Sequence, residues 1–379
     1  MLWFKGTVDS SGNLYWLEYK DGSYRIGSAR IDGTIRFRSA PAAEWSTSAL
    51  LIAADTLVWL TLEDSAHPVA SGYSTATGDR LWRRELLPLM QDWYREAANN
   101  SRQGGIDGAA VSRTAVVLTV GTGYKVESGY VALAAATGAV LWVARTTDKD
   151  TLMMASPPSP SQSPGMLFGS QILHDHTDLF RFTGVDPPAP FFSGPNSETS
   201  VLLAAPGPVL LMSASNDFPP VMHTEIRCQN DGALIASFDT GVSLYADGPD
   251  SAWFVQRSGA LSRYDVRTGT LAARVEVAPS RPSMTSAAGI LWVEQTIKYL
   301  GGLSSGRQQG PPQLRVVSPE GVEVRRRALP QETEAYDGAH AASFGDRILL
   351  EGEVLPSVGA YGVIRAIDLP GWSAESVKR

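Results

Sequence analysis

One turn-and-tryptophan signature occurs twice in this 379-residue chain and restricts the fold more than any other feature. Thr75-Ala76-Thr77-Gly78-Asp79-Arg80-Leu81-Trp82 is echoed by Ala135-Ala136-Thr137-Gly138-Ala139-Val140-Leu141-Trp142, each after an alternating apolar run and each with Trp four residues past Gly. Glycine takes the positive φ of a hairpin turn without a Cβ clash, so both copies read as turns joining antiparallel strands. Weaker copies of the turn stand at Asp32-Gly33, Thr183-Gly184, Asp231-Gly232, Thr268-Gly269, Glu320-Gly321 and Pro370-Gly371. A second series interleaves with the first: turn dipeptides such as Ser11-Gly12, Ala54-Asp55 and Gly345-Asp346 precede the apolar runs that begin at Leu14, Leu57 and Ile348. Together they make eight units of two hairpins with a mean period of about 47 residues, a length suited to four short strands.

A four-stranded unit of that period is the blade of a β-propeller. With strands A to D running outward from the axis, strand B is covered by both neighbouring blades, which accounts for the near-continuous apolar runs Val116 to Val120 and Val209 to Met212. A solvated helix would instead space its apolar residues three to four apart. The predicted fold is all-β: an eight-bladed β-propeller of four-stranded antiparallel blades, a single domain over residues 1–379 with loop insertions near 86–108, 146–164 and 298–312. Little chain remains after Trp372 for a fourth strand of the last blade, whereas Leu2-Trp3-Phe4 reads as an outer strand with no hairpin before it. Leu2 to Phe4 is therefore expected to complete the eighth blade and close the ring, removing an open sheet edge.

The Thr-Gly-x-x-Leu-Trp pattern with its preceding apolar strand resembles the repeat of the PQQ-like β-propeller family. That fold is shared by quinoprotein alcohol dehydrogenases and the propeller lipoprotein of the outer-membrane β-barrel assembly machine. Two copies match by motif and the other six by their glycine turn. The resemblance implies that Trp82 and Trp142 dock one blade on the next. It is nearer to the non-catalytic lipoprotein than to the dehydrogenases, whose adjacent cysteine pair is impossible with Cys228 alone.

Tight turns join A to B and C to D, whereas the long segments fall in the B–C and D–A connections, so that face of the disc is expected to carry the function. Residues 88–98 have the composition of a short helix with Pro88 in its first turn. Trp93 and Tyr94 on it, with Phe191, Phe192 and Tyr299, are the candidate partner-binding aromatics, since such side chains dominate interfaces; Trp93 and Tyr94 would equally pin the helix to the fold. The Pro- and Ser-rich run 156–164 reads as an extended spacer. His67, His174, His176 and His223 fall in or beside B–C connections, and His340 in an inner strand. His174-Asp175-His176 sets two imidazoles on one side if extended, a weak metal candidate without a third ligand.

Other classes are disfavoured by composition. Thirty-nine acidic against 32 basic residues, a formal charge of -7, argues against nucleic-acid binding, which relies on clustered cations. The one basic run, Arg325-Arg326-Arg327, reads as a solvated outer strand. Lone Cys228 permits no internal disulfide. The apolar stretch 49–62 is short and interrupted by Asp55, so no transmembrane segment is expected. The first five residues lack the pattern of a secretory leader; the expectation is cytoplasmic, or extracytoplasmic as the resemblance implies if a leader has been removed. No nucleophile elbow, phosphate loop or His-Glu-x-x-His string occurs, so the leading expectation is a non-catalytic scaffold with a protein partner and no cofactor. The alternative is an enzyme, or a binder of a small ligand, glycan or metal, using an axial pocket with Asp107, Glu127 and Asp175.

Overall fold

The computed structural model describes residues 7–9, 11–20, 22–42, 46–63, 67–90, 104–112, 114–122, 128–145, 152–154, 167–172, 176–182, 184–195, 200–204, 209–214, 222–228, 231–239, 243–246, 251–255, 261–265, 267–275, 284–286, 289–294, 297–300, 306–309, 313–318, 320–329, 334–335, 341–344, 346–354 and 361–370. Their regular structure is β-strand apart from one 3-10 turn, Leu87–Met90. Among the described residues the strands form eight four-stranded antiparallel sheets and one two-stranded hairpin. They divide into two compact units: Lys5–Asp239 holds the first five sheets, and the other, chiefly Thr240–Arg379, holds the remaining three.

Each of the first six sheets is a meander of four consecutive strands. The second is Ser46–Ala53, Thr56–Glu63, His67–Ser74 and Arg80–Glu85, and the third is Gly104–Ser112, Ala115–Thr122, Ser128–Ala134 and Val140–Arg145. The apolar runs of their second strands follow from burial on both faces. Leu57 and Trp59 join Tyr15, Leu17 and Ile26 of the first sheet in one core. Val58 and Leu60, pointing the other way, join Val116, Leu118 and Val120 of the third. All four side chains of Leu57–Leu60 are fully enclosed, and each such burial contributes roughly 1.5–3 kcal/mol. In the second unit, Leu291, Leu314 and Val316 of the seventh sheet meet Ile348, Leu350 and Ile367 of the eighth.

The turns between third and fourth strands of the first seven sheets share a glycine at positive φ. In the second sheet Gly78 sits at φ 77° and donates its N–H to Ser74 O at 2.9 Å, while Ser74 Oγ accepts from the amides of Ala76 and Thr77. Glycine at a left-handed position is what such a loop requires. A register shift follows just beyond the turn in each of the first seven sheets. This bulge re-aims the next side chain of the fourth strand, as bulges do at sheet edges.

The structure corrects several expected loops. The insertion near 298–312 contains a hairpin, Ile297–Leu300 paired with Gly306–Gln309, between the second and third strands of the seventh sheet. The insertion near 146–164 is broken by the strand Leu152–Met154, whose pairing with Leu167–Ile172 makes it the first strand of the fourth sheet. Its three residues are too short to stand out between two loops. The Pro-rich run 156–164 lies outside the described residues. Gly104–Ser112 likewise begins inside the expected loop 86–108. Of the expected helix only Leu87–Met90 is described, as the 3-10 turn.

The eighth sheet differs from the others. Arg347–Val354 pairs with Tyr361–Asp368 on one side and with both Ala341–Phe344 and Glu334–Ala335 on the other. Its inner strand is thus split in two, and no fourth strand follows Tyr361–Asp368 among the described residues. Leu2 to Phe4 lie outside them.

Candidate functional site

In the first four sheets and the seventh, the residue that follows the bulge reaches the next sheet. Trp82 stands opposite Gly72, donates its indole N–H to Ala135 O at 2.7 Å and lies flat against Gly138, where an added Cβ would come within 2.5 Å of the ring. Arg84 adds a hydrogen bond to Gly138 O at 3.1 Å. Trp142, opposite Ala132, donates to Gly184 O at 3.1 Å. Phe37, opposite Ser28, covers Gly78 in the same manner. The wide rings stand opposite small residues because a Cβ on Gly72 would fall 2.2 Å from the Trp82 indole.

Phe191 and Phe192, expected on a loop at the functional face, lie instead on the fourth strand of the fourth sheet, Ala189–Pro195. Phe192 occupies the position of Trp82 and carries the Arg227 guanidinium 3.8 Å above its ring. Arg227 in turn donates to Gly232 O at 2.8 Å and to Glu225 at 2.8 Å. Phe191 adjoins Gly232 of the same turn. Both phenylalanines thus join two sheets.

In the seventh sheet an arginine replaces the aromatic. Arg325, opposite Val316 just after the bulge, donates to Pro370 O at 3.3 Å, and Arg327 to Asp368 O at 3.4 Å, both on the eighth sheet. Arg326 pairs with Glu323 at 2.9 Å, and Arg315 pairs with the same carboxylate. Arg326 and Arg315 hold Glu323 below the usual carboxylate range. The basic run is thus the exposed outer strand expected, and two of its members also hydrogen-bond to the chain of the eighth sheet.

A polar node joins the first sheet to the second. Arg36 donates to Tyr15 Oη at 2.9 Å and Ser28 Oγ at 3.0 Å, and Tyr15 Oη lies 2.8 Å from Asp9 Oδ2 and 3.3 Å from Thr75 O. Burial and then the Asp9 carboxylate push the Tyr15 hydroxyl up to about 12. Burial alone would raise Asp9, but hydrogen bonds from Asn13, Tyr15 and Ser11 outweigh it and keep the carboxylate ionised. Nothing in the sequence marks these residues as partners, since Asp9, Tyr15, Ser28 and Arg36 follow one another along successive strands with no shared motif and Thr75 comes from the turn of another sheet.

Tyr299, His67, His176 and His223 lie toward the end of their sheets away from the tight turns. Tyr299 lies on the inserted hairpin, in register with Arg307. His176 opens a strand opposite Pro195, His67 opens another opposite Glu63, and His223 pairs with Ser213. Trp93, Tyr94, His174, Asp175, Glu127 and His340 lie outside the described residues, and Asp107 falls within the strand Gly104–Ser112. Among the described residues no group of three or more His, Cys, Asp or Glu is placed to hold a metal, and no helix is long and apolar enough to cross a membrane.

No family model and no curated protein matches the chain. Among solved structures, BamB from Moraxella catarrhalis is similar over 92% of this chain and 93% of its own, at 13% identity and a TM-score of 0.52. Dihydro-heme d1 dehydrogenase NirN, in complex with DHE, is similar over 95% of this chain and 75% of its own, at 12% identity and a TM-score of 0.56. Both are β-propeller proteins, and with the repeated four-stranded antiparallel sheets they establish the fold as a β-propeller.

Proposed function

We propose that the chain is one closed eight-bladed propeller that acts as a non-catalytic scaffold, holding a protein partner against the end of its sheets opposite the tight turns. The observation that carries this reading is the hairpin Ile297–Leu300/Gly306–Gln309, inserted at that end between two strands that elsewhere follow directly on one another. Insertions on a rigid β scaffold are the usual carriers of recognition. Tyr299 on this hairpin and Trp93 and Tyr94 in the segment after Leu87–Met90 are the contact residues proposed. The resemblance of the repeat to the PQQ-like family favours a cell-envelope assembly as the setting.

A photo-crosslinking residue placed at Tyr299 in the source cells is expected to give a defined adduct with one other protein, and the same residue at exposed Thr77, on a tight turn, to give none. Adducts at Thr77 and none at Tyr299 would reverse the assignment of the binding end.

Closure of the ring is supported by the eighth sheet, where Tyr361–Asp368 occupies the place after which every other sheet adds a fourth strand. Leu2 to Phe4 are proposed as that strand. Deleting residues 1–5 is expected to lower the melting temperature by several degrees, because about 1 kcal/mol corresponds to roughly 2–4 °C in a domain of 150–250 residues and somewhat less in a larger one. An unchanged melting curve would remove the closure from the proposal.

A further inference from the structure

The large apolar side chains most exposed among the described residues follow a rule. Ile35, Leu81, Leu141, Val143, Leu234 and Ile235 in the first unit, and Leu271 and Val324 in the second, lie on fourth strands just beyond a glycine turn, while Val185 and Val322 lie in such turns themselves. Exposure reaches 52% at Leu81 and 39% at both Leu141 and Val143. The same strands are basic. In the first three sheets, Ile35–Arg38, Arg80–Glu85 and Val140–Arg145 carry six arginines and one carboxylate, Glu85, within a chain of formal charge -7.

Sheet edges are normally blunted by charge because a free edge recruits other strands. Arginine alone would serve that purpose. Leucine and valine at the same edge undo it, and exposed apolar groups bordered by charge mark interaction surfaces. Val140–Arg145 pairs only with Ser128–Ala134, leaving its other edge without a strand partner among the described residues. Trp142 and Ala144 are packed in a core on one face of that strand, so Val143, between them, points to the other face, toward the second sheet. There Arg84 reaches across from Arg80–Glu85.

We propose that the fourth strands of the second and third sheets form a docking edge for an extended acidic segment of a partner protein. Its apolar side chains seat on Leu81, Leu141 and Val143, its carboxylates meet Arg80 and compete with Glu85 for Arg83, which that residue holds at 2.9 Å, and its main chain adds to the outer edge of Val140–Arg145. Strand addition supplies backbone hydrogen bonds, and side chains on alternate positions supply the selectivity. A bilayer of anionic lipid would satisfy the charges but not a strand edge. The surface is separate from the hairpin end and does not depend on it.

The test uses the full chain and a fluorescein-labelled peptide of alternating glutamate and valine, with the lysine–valine peptide and phosphatidylglycerol vesicles as counter-probes. The expected result is binding of the acidic peptide alone, weakened by salt and by at least about tenfold, or 1.4 kcal/mol, in Leu141→Asp and in Arg83→Glu. Both residues are on the surface, and unchanged melting curves establish that the variants fold. Equal binding of both peptides, affinity unaltered by either variant, no binding of the acidic peptide, or binding of vesicles alone would overturn the proposal. Tyr299 adducts should persist in both variants, so failure here and failure of the hairpin assignment are told apart.

Discussion

Gly72→Ala is expected to destabilise the protein by about 1–3 kcal/mol through overpacking, and Trp82→Ala by about 3–5 kcal/mol through loss of a large packed side chain. The double variant should cost less than the two together. Gly72 is not among the glycines at positive φ, so its backbone accepts alanine without strain. In a strand interior alanine would by itself be favoured over glycine by roughly 0.5–1 kcal/mol. The penalty comes from Trp82, whose Nε1 and Cε2 would each lie 2.2 Å from the new Cβ. Once the indole is gone the methyl group has room. Calorimetric unfolding of the four proteins should therefore give a coupling of at least about 1 kcal/mol, within the range found for residues in contact. Additivity within about 0.3–0.5 kcal/mol would show that the two positions do not share the space.

The same pair shows how far the sequence can be read. Two Trp residues four past a turn glycine are visible by eye because turn, bulge and aromatic keep one spacing in the second and third sheets. The apolar runs of the second strands are equally legible, since burial on both faces leaves no polar alternation. Phe192 escapes because the turn before it, with Pro187 and Pro188, is longer, which moves the aromatic away from Gly184 although it holds the structural position of Trp82. Arg325 escapes for a different reason. It reaches the next sheet through hydrogen bonds to carbonyl oxygens rather than by covering a glycine, so no aromatic pattern announces it.

Errors in the loops have one physical origin. Strands of three or four residues, such as Leu152–Met154 and Ile297–Leu300, gain their stability from the neighbour they pair with. Their own residues carry too few alternations to be recognised against flanking glycine, proline and serine. The hairpin Ile297–Leu300/Gly306–Gln309 is illegible for this reason, because Gly301-Gly302-Leu303-Ser304-Ser305 reads as open loop and each arm has only four residues.

Glycines of the turn series, alike in backbone, should separate sharply when each is replaced by alanine. Gly33 at φ 88° has nothing within 4 Å of an added Cβ, whereas Gly138 at φ 66° faces the Trp82 ring at 2.5 Å. Gly33→Ala therefore bears only the left-handed backbone, about 1–2 kcal/mol. Gly138→Ala bears that and the displacement of the indole, a further 1–3 kcal/mol or so. In a Trp82→Ala background the cost of Gly138→Ala should fall to that of Gly33→Ala, because only the φ contribution remains. Equal costs for the two glycines in the native background would mean that contact between adjacent sheets adds nothing at the turn. A larger cost at Gly138 that survives removal of Trp82 would place the contact on Arg84, which bonds the carbonyl of the same residue. A larger cost at Gly138, whether relieved by removing Trp82 or not, assigns free energy between neighbouring sheets to an identified atom pair, in a chain that has no disulfide to do the same work.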